Sequence, residues 1–433
     1  MPDISLIALA LIALVLSIPA LVDTKNILRL DVAASLLTLT WLLPQAYALI
    51  DDPYTWYFDP SFTYGYIAVC ISMLSFGSYL GRRMAERYIA SAKFVPTDLS
   101  IERYDPKKLS NAALVMAILG GLSFFMMARE AQNFGIQEQW TGVITLYYLL
   151  SQFMVFGGAL GILVYMQYKE RRGLIAYLAM IGVATPIFLL FVRRSVLFQI
   201  AAITLGAVIL NRGIKIPRMV LIVGLVISVM ILNGAAAIRQ HVFNEGGTIV
   251  SAFTEGVMFK TNFVQHEVIA AELRSAISDF EVTRATNRYK PFVMLWNVSV
   301  SQYVPGFIVG DELKASLLIP EDNRSVLQSY FTDGATRTGF AEAFSGYWYF
   351  GVFIYLGIGI VFGRLWVLTN KRDIRAQHMY LIFLLYSLLT VTESISRMLV
   401  TAPIILVSVW LSFGYARRRV PADPAMKLIP QPG

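Results

Sequence analysis

Residues 4–22, 28–50, 62–80, 110–128, 143–166, 174–192, 195–210, 219–238, 346–368, 378–392 and 398–415 form about eleven apolar runs that reach or approach membrane-spanning length. A hydrocarbon core takes roughly 20 residues of helix. No water is there to satisfy a bare amide, so each run must bond its own backbone as a helix. With 57% hydrophobic and 15% charged residues, the chain lies far from soluble-domain composition. The expected fold is an all-α polytopic integral membrane protein with about 11 transmembrane helices and one large outer loop. Run 195–210 is short and run 378–392 ends in polar Thr392 and Glu393, so these two are expected to be tilted, broken or partly lined by protein. The first run lacks a basic leader and a small-residue cleavage site and reads as a retained helix. Cys70, the only cysteine, falls inside the third run and reads as a packing residue.

Charge orients the runs. If they alternate, the connections 23–29, 81–109, 167–173, 211–218, 364–377 and the tail from 416 share one side and hold 23 of the 36 Lys and Arg. Nine of the other 13 lie in the single long connection 239–345, and long loops cross membranes largely regardless of charge. The short loops therefore predict a multi-pass membrane protein with its N-terminus outside and its C-terminus in the cytoplasm. The net charge of +8 reads as cytoplasmic anchoring, and no nucleic-acid-binding module is recognisable.

Three segments follow: a bundle of about eight helices over 1–238, the outer loop 239–345, and the closing helices with their tail over 346–433. Within the loop, Val264, Val268, Ile269, Leu273, Ala276, Ile277 and Phe280 recur at helical spacing and predict an amphipathic helix. Residues 291–304 are apolar, bounded by Pro291 and Pro305 and too short to span, which predicts an interfacial or re-entrant piece. Residues 306–341 are polar and turn-rich, as a mobile cover would be. Gly157/Gly161 and Gly359/Gly363 have the small-xxx-small spacing that lets helices approach closely.

Ten of the 13 outward cations are arginines. Arg193, Arg194, Arg239, Arg337 and Arg397 fall nearest the outer membrane face. A guanidinium fork binds phosphate oxygens in pairs and stays charged in poorly hydrated surroundings. Taken singly, each is as well explained by snorkelling to lipid or by a loop carboxylate; taken together, they suggest a diphosphate clamp. A reaction there also needs a base. His241, Glu342 and Glu393 are the candidates, with interfacial exposure or ion pairing as their ordinary alternatives.

Residues 338–363, TGFAEAFSGYWYFGVFIYLGIGIVFG, place a small-residue turn and a glutamate before a Phe-Gly-led glycine-rich helix. Through Gly339, Glu342, Phe350, Gly351 and Gly363, this segment resembles the one that follows the large outer loop in Wzy-type oligosaccharide repeat-unit polymerases. The layout of the whole chain is similar to that of polyprenyl-phosphate-dependent membrane glycosyltransferases. The resemblance implies that an undecaprenyl-diphosphate-linked glycan is transferred to a newly flipped lipid-linked repeat unit on the outer face of a bacterial inner membrane. Diphosphate leaves, arginines stabilise it, and a carboxylate or histidine accepts the hydroxyl proton. It implies no cofactor and no nucleotide. A flippase and a chain-length regulator are the partners it suggests. Two other readings stay open: an O-antigen ligase, to which His241 is relevant, and a lipid-linked glycan transporter or flippase, which predicts a central charged cavity.

Overall fold

The computed structural model describes residues 4–50, 59–91, 104–131, 143–191, 194–213, 217–220, 223–224, 241, 251, 271–286, 289, 291–320, 338–392 and 394–418. In chain order the helices are α1 (Ile4–Val22), α2 (Leu30–Leu37), α3 (Leu43–Ala48), α4 (Ser61–Ala90), α5 (Pro106–Ala131), α6 (Val143–Tyr168), α7 (Arg171–Phe191) and α8 (Arg194–Arg212). Four helices of the long connection follow: α9 (Ala271–Thr286), α10 (Val293–Tyr303), α11 (Gly306–Val309) and α12 (Asp311–Leu317). The chain closes with α13 (Gly339–Tyr347), α14 (Val352–Asn370), α15 (Ile374–Thr392) and α16 (Ile395–Ala416).

Seven stretches among the described residues are long and apolar enough to cross a membrane: Ile4–Val22, Ser61–Ala90, Pro106–Met127, Val143–Tyr168, Gly339–Asn370, Ile374–Thr392 and Ile395–Ala416. The sixth and seventh apolar runs form α7 and α8, of 21 and 19 residues. The run 219–238 lies almost wholly outside the described residues. Among the described residues the elements are helices, with no strand, as in an all-α membrane protein.

Two runs depart from a single straight helix. Residues 24–50 form a 3-10 turn, α2, a π turn at Thr38–Leu42 and then α3. Pro44 has no N–H to give the Thr40 carbonyl, and just before it the Leu43 amide reaches back to Thr38, one residue further than an α-helix allows. The second departure is at Trp348, whose φ of +57° breaks the ninth run into α13 and α14. A helix already runs from Gly339, so the boundary expected at 345/346 falls inside α13.

Small residues set a close crossing. On α4 and α14 a Cβ at Gly77 would stand 2.2 Å from the Leu356 carbonyl oxygen, and one at Gly359 would stand 2.2 Å from that of Leu74. Gly81 and Gly363 face Ile360 and Ser78 in the same way. The two backbones touch, which packs helices where lipid offers no hydrophobic drive. Cys70 is fully buried, as a packing residue should be.

Contacts sort the helix ends onto two faces. On one, the Asp105 amide donates to Ala416 at 2.9 Å, Gln167 to Gln377 at 2.8 Å, Arg172 to Asn111 at 2.7 Å and the Tyr380 hydroxyl to Leu28 at 2.6 Å. These residues belong to, or lie just beside, the connections grouped by charge, so this is the tail face. On the opposite face the Leu273 amide donates to Gln45 at 2.9 Å, and the Tyr66 hydroxyl donates to the Trp348 carbonyl at 3.2 Å. This is the loop face.

Candidate functional site

Thr338 caps α13 by accepting from the Ala341 amide at 3.3 Å. One turn later Glu342 points from α13 toward the start of α16. Its carboxylate accepts from the Ser394 hydroxyl at 2.6 Å, the Ile395 amide at 2.8 Å and the Ser396 amide at 3.0 Å. The residue is 1% exposed. A carboxylate at a helix N-terminus satisfies amides that have no partner within the helix and meets the positive end of its dipole. All three contacts are donors, the pattern that an ionised carboxylate accepts. Glu342 is therefore a long-range helix cap.

The cap places Arg397. Its amide donates to the Ser394 hydroxyl at 3.2 Å, and its exposed guanidinium donates from Nη2 to the Tyr148 hydroxyl on α6 at 2.7 Å. Tyr148 opens a polar track into the apolar bundle. One turn deeper, the Gln152 amide group approaches the Tyr148 carbonyl at 3.5 Å, and the Tyr386 hydroxyl on α15 donates to Gln152 Oε1. Gln152 lies about 14 Å along α6 from Val143. Polar groups within an apolar bundle are held by bonds between helices, as Gln152 is by Tyr386.

Above these ends lie the loop helices. The expected amphipathic helix is present in α9, whose Leu273, Ala276, Ile277 and Phe280 are buried. Val264, Val268 and Ile269 fall outside the described residues. Phe280 stacks on Phe344 of α13 at 4.9 Å between ring centroids, and Phe62 and Tyr66 of α4 meet Phe344 edge-on at 5.2 Å. Arg284 lies over the Phe62 ring at 4.7 Å and pairs with Glu281 at 2.7 Å. The Pro-bounded segment forms α10, packed on α16, α6 and α13. Its Tyr303 hydroxyl donates to the Val400 carbonyl. Residues 306–317, expected as a mobile cover, form the short helices α11 and α12.

Of the expected clamp, the structure shows the side chain of Arg397. Arg193, Arg239, Arg337 and Glu393 lie outside the described residues, as does the side chain of Arg194 at the start of α8. His241 is half-buried, with a ring nitrogen 3.0 Å from the Ser251 hydroxyl. Among the described residues no three His, Cys, Asp or Glu side chains gather as metal ligands. Sequence reasoning missed Ser394, Tyr148 and Tyr386. Ser394 carried a usable signal, a serine just before an apolar run, the pattern of a helix N-cap. Tyr148 carried none, because its partner is 249 residues away.

The tail face holds a second polar group. Arg29 pairs with Asp31 through Nη2–Oδ2 at 2.6 Å and Nε–Oδ1 at 3.3 Å, and Ser78 of α4 donates to the same carboxylate at 3.2 Å. Asp31 is 2% exposed at the start of the broken second run.

No protein-family model, curated protein or solved structure matches this chain. The functional reading therefore rests on the residues themselves.

Proposed function

We propose that this chain polymerises undecaprenyl-diphosphate-linked oligosaccharide repeat units at the outer face of a bacterial inner membrane, with the loop face outward. The observation that carries the reading is the fixed placement of Arg397, an exposed guanidinium bonded to Tyr148 at the loop-face end of the apolar helices. A lipid diphosphate presents its charge at that level while its tail stays in hydrocarbon. Arg397 stabilises charge as it develops on the leaving diphosphate, the electrostatic role that is usually the largest catalytic contribution. Tyr148 aims it, and Glu342 holds the helix that carries it. His241 and Glu393 are the proton acceptors in this scheme, and Arg193, Arg194, Arg239 and Arg337 complete the anion site. The aromatic group around Phe62, Phe344 and Trp348 suits the headgroup zone, where aromatic side chains settle. Partners are the lipid-linked glycan and the bilayer, with a flippase and a chain-length regulator upstream and alongside.

A deletion strain tests this reading. Loss of long surface glycan with single repeat units still attached points to a polymerase. Loss of both single units and long chains from the acceptor, with lipid-linked glycan accumulating outside, points to the ligase.

One observation favours a transporter instead: the broken second run, where buried Asp31 pairs with half-buried Arg29 at the tail-face end, since discontinuous helices and paired charges build transport sites. Lipid-linked units trapped on the cytoplasmic side of the deletion strain would support that reading.

A further inference from the structure

Helix α10 is tied to the near end of an apolar helix long enough to cross a membrane. The Tyr303 hydroxyl donates to the carbonyl of Val400, which belongs to the membrane-crossing helix α16 and lies five residues past its first residue, Ile395. That is about 8 Å along the helix, within the ~5–10 Å that interfacial helices sink below the headgroups. Pro305 and buried Gly306 follow at once, so α11 begins at this same level.

From there the chain folds back and seals its own polar groups. Gly310, at φ +88°, makes the turn into α12. Lys314 donates from Nζ to the Ser301 carbonyl at 3.1 Å, and the Trp296 indole donates to the Leu317 carbonyl at 2.7 Å. Asn297 exchanges two bonds of 2.9 Å with the Ile319 backbone. The result is a braced hairpin whose outward side chains are large and apolar: Ile308 is 70% exposed, Leu313 52% and Phe307 46%. Exposed Asp311 and Glu312 sit between them and limit how deep the hairpin can go.

We propose that residues 293–319 form a foot seated in the lipid leaflet on the loop side, with Phe307, Ile308 and Leu313 entering the acyl region and Asp311 and Glu312 kept at headgroup level. The lipid is favoured because the anchoring helix itself turns Leu406, Val407 and Trp410 outward along its crossing, so the foot continues a surface that already faces acyl chains. Val400 is three residues from Arg397. The foot therefore holds α10 at constant depth one helical turn from the candidate site. This inference stands whether or not the proposed reaction is correct.

Cys70 is the only cysteine and is buried, so single cysteines at Ile308, Leu313 and Glu312 can be labelled selectively with an environment-sensitive fluorophore. The labelled full chain is placed in phosphatidylethanolamine and phosphatidylglycerol vesicles, with nitroxide-bearing lipid or aqueous iodide as quencher. Labels at Ile308 and Leu313 should lose most of their emission to the lipid quencher and little to iodide, whereas the Glu312 label should be quenched by iodide. Iodide quenching at all three positions would overturn the proposal by placing the foot in water. Protection from both quenchers at Ile308 and Leu313 would overturn it equally, because another part of this chain or a second copy would then cover the surface.

Discussion

The carboxylate of Glu342 accepts the Ile395 amide at 2.8 Å, so a residue of α13 terminates α16, the last membrane-crossing helix, from outside it. With the Ser394 hydroxyl and the Ser396 amide on the same group, the acid chosen from sequence as a base is filled with donors and buried. In this arrangement it acts through the helix it caps, and Arg397 is what that helix presents. A base and a positioning residue respond differently to substitution.

Glu342→Gln keeps the size and one acceptor oxygen but removes the charge. If Glu342 caps and positions, long glycan persists and turnover per folded molecule falls by less than about tenfold, whereas loss of a base costs roughly 10²-fold or more. Glu342→Ala leaves two buried amides and the half-buried Ser394 hydroxyl without their acceptor. At about 1–3 kcal/mol for each unmade bond, the variant should melt well below wild type in detergent, as read by fluorescence-detected size exclusion.

Arg397→Ala should abolish long glycan at normal protein level. Arg397→Lys retains the charge without the fork and should recover only a small part of it. Tyr148→Phe removes the hydroxyl that Arg397 donates to and leaves both helices packed. Its turnover should fall with little change in melting temperature, since small misplacements of a charge-stabilising group are costly. Unchanged turnover in Tyr148→Phe would mean that Arg397 is aimed by other contacts.

The helices were legible because period and length decide them. Run 143–166 became Val143–Tyr168, and run 4–22 became Ile4–Val22. The stripe ending at Phe280 predicted the buried face of α9, and Pro291 and Pro305 bracketed α10. The π turn at Thr38–Leu42 was less visible, because apolar composition alone does not separate a π turn from an α turn. At the site, sequence singled out Glu342 and Arg397 by charge and position but not their relationship. That relationship runs through Ser394, 52 residues from Glu342, and no local pattern encodes a contact at that separation. Gly359/Gly363 was readable as a close-approach motif, yet its mates Gly77 and Gly81 emerge only from the crossing itself.

At that crossing a side chain has no room. Gly359→Val would drive a Cβ to within 2.2 Å of the Leu74 carbonyl oxygen, and separating two backbones costs at least the ~1–3 kcal/mol typical of overpacking. A sharp loss of monodisperse protein is expected. Gly357→Ala, where nothing lies within 4 Å of the added Cβ, should behave as wild type.

Burial pushes the Lys314 ammonium below the ordinary lysine value of 10.5, with Asp311 opposing the shift. The folded state then binds fewer protons than the unfolded state at alkaline pH, so this group adds stability as pH rises from the folded value toward 10.5. Thermal melts of wild type and Lys314→Met should therefore diverge in favour of wild type between neutral and alkaline pH. Parallel curves would show that the ammonium is solvated in the folded protein.

The most direct measurement is polymerisation by the purified chain. The protein in vesicles is given a single lipid-linked repeat unit on the loop side, without nucleotide sugar, and the products are separated by length. A ladder of products one repeat apart is expected from wild type, with diphosphate lipid released and no ladder from Arg397→Ala. If well-folded wild type leaves the unit unextended while moving it from one leaflet to the other, the polymerase reading is wrong and the chain is a transporter.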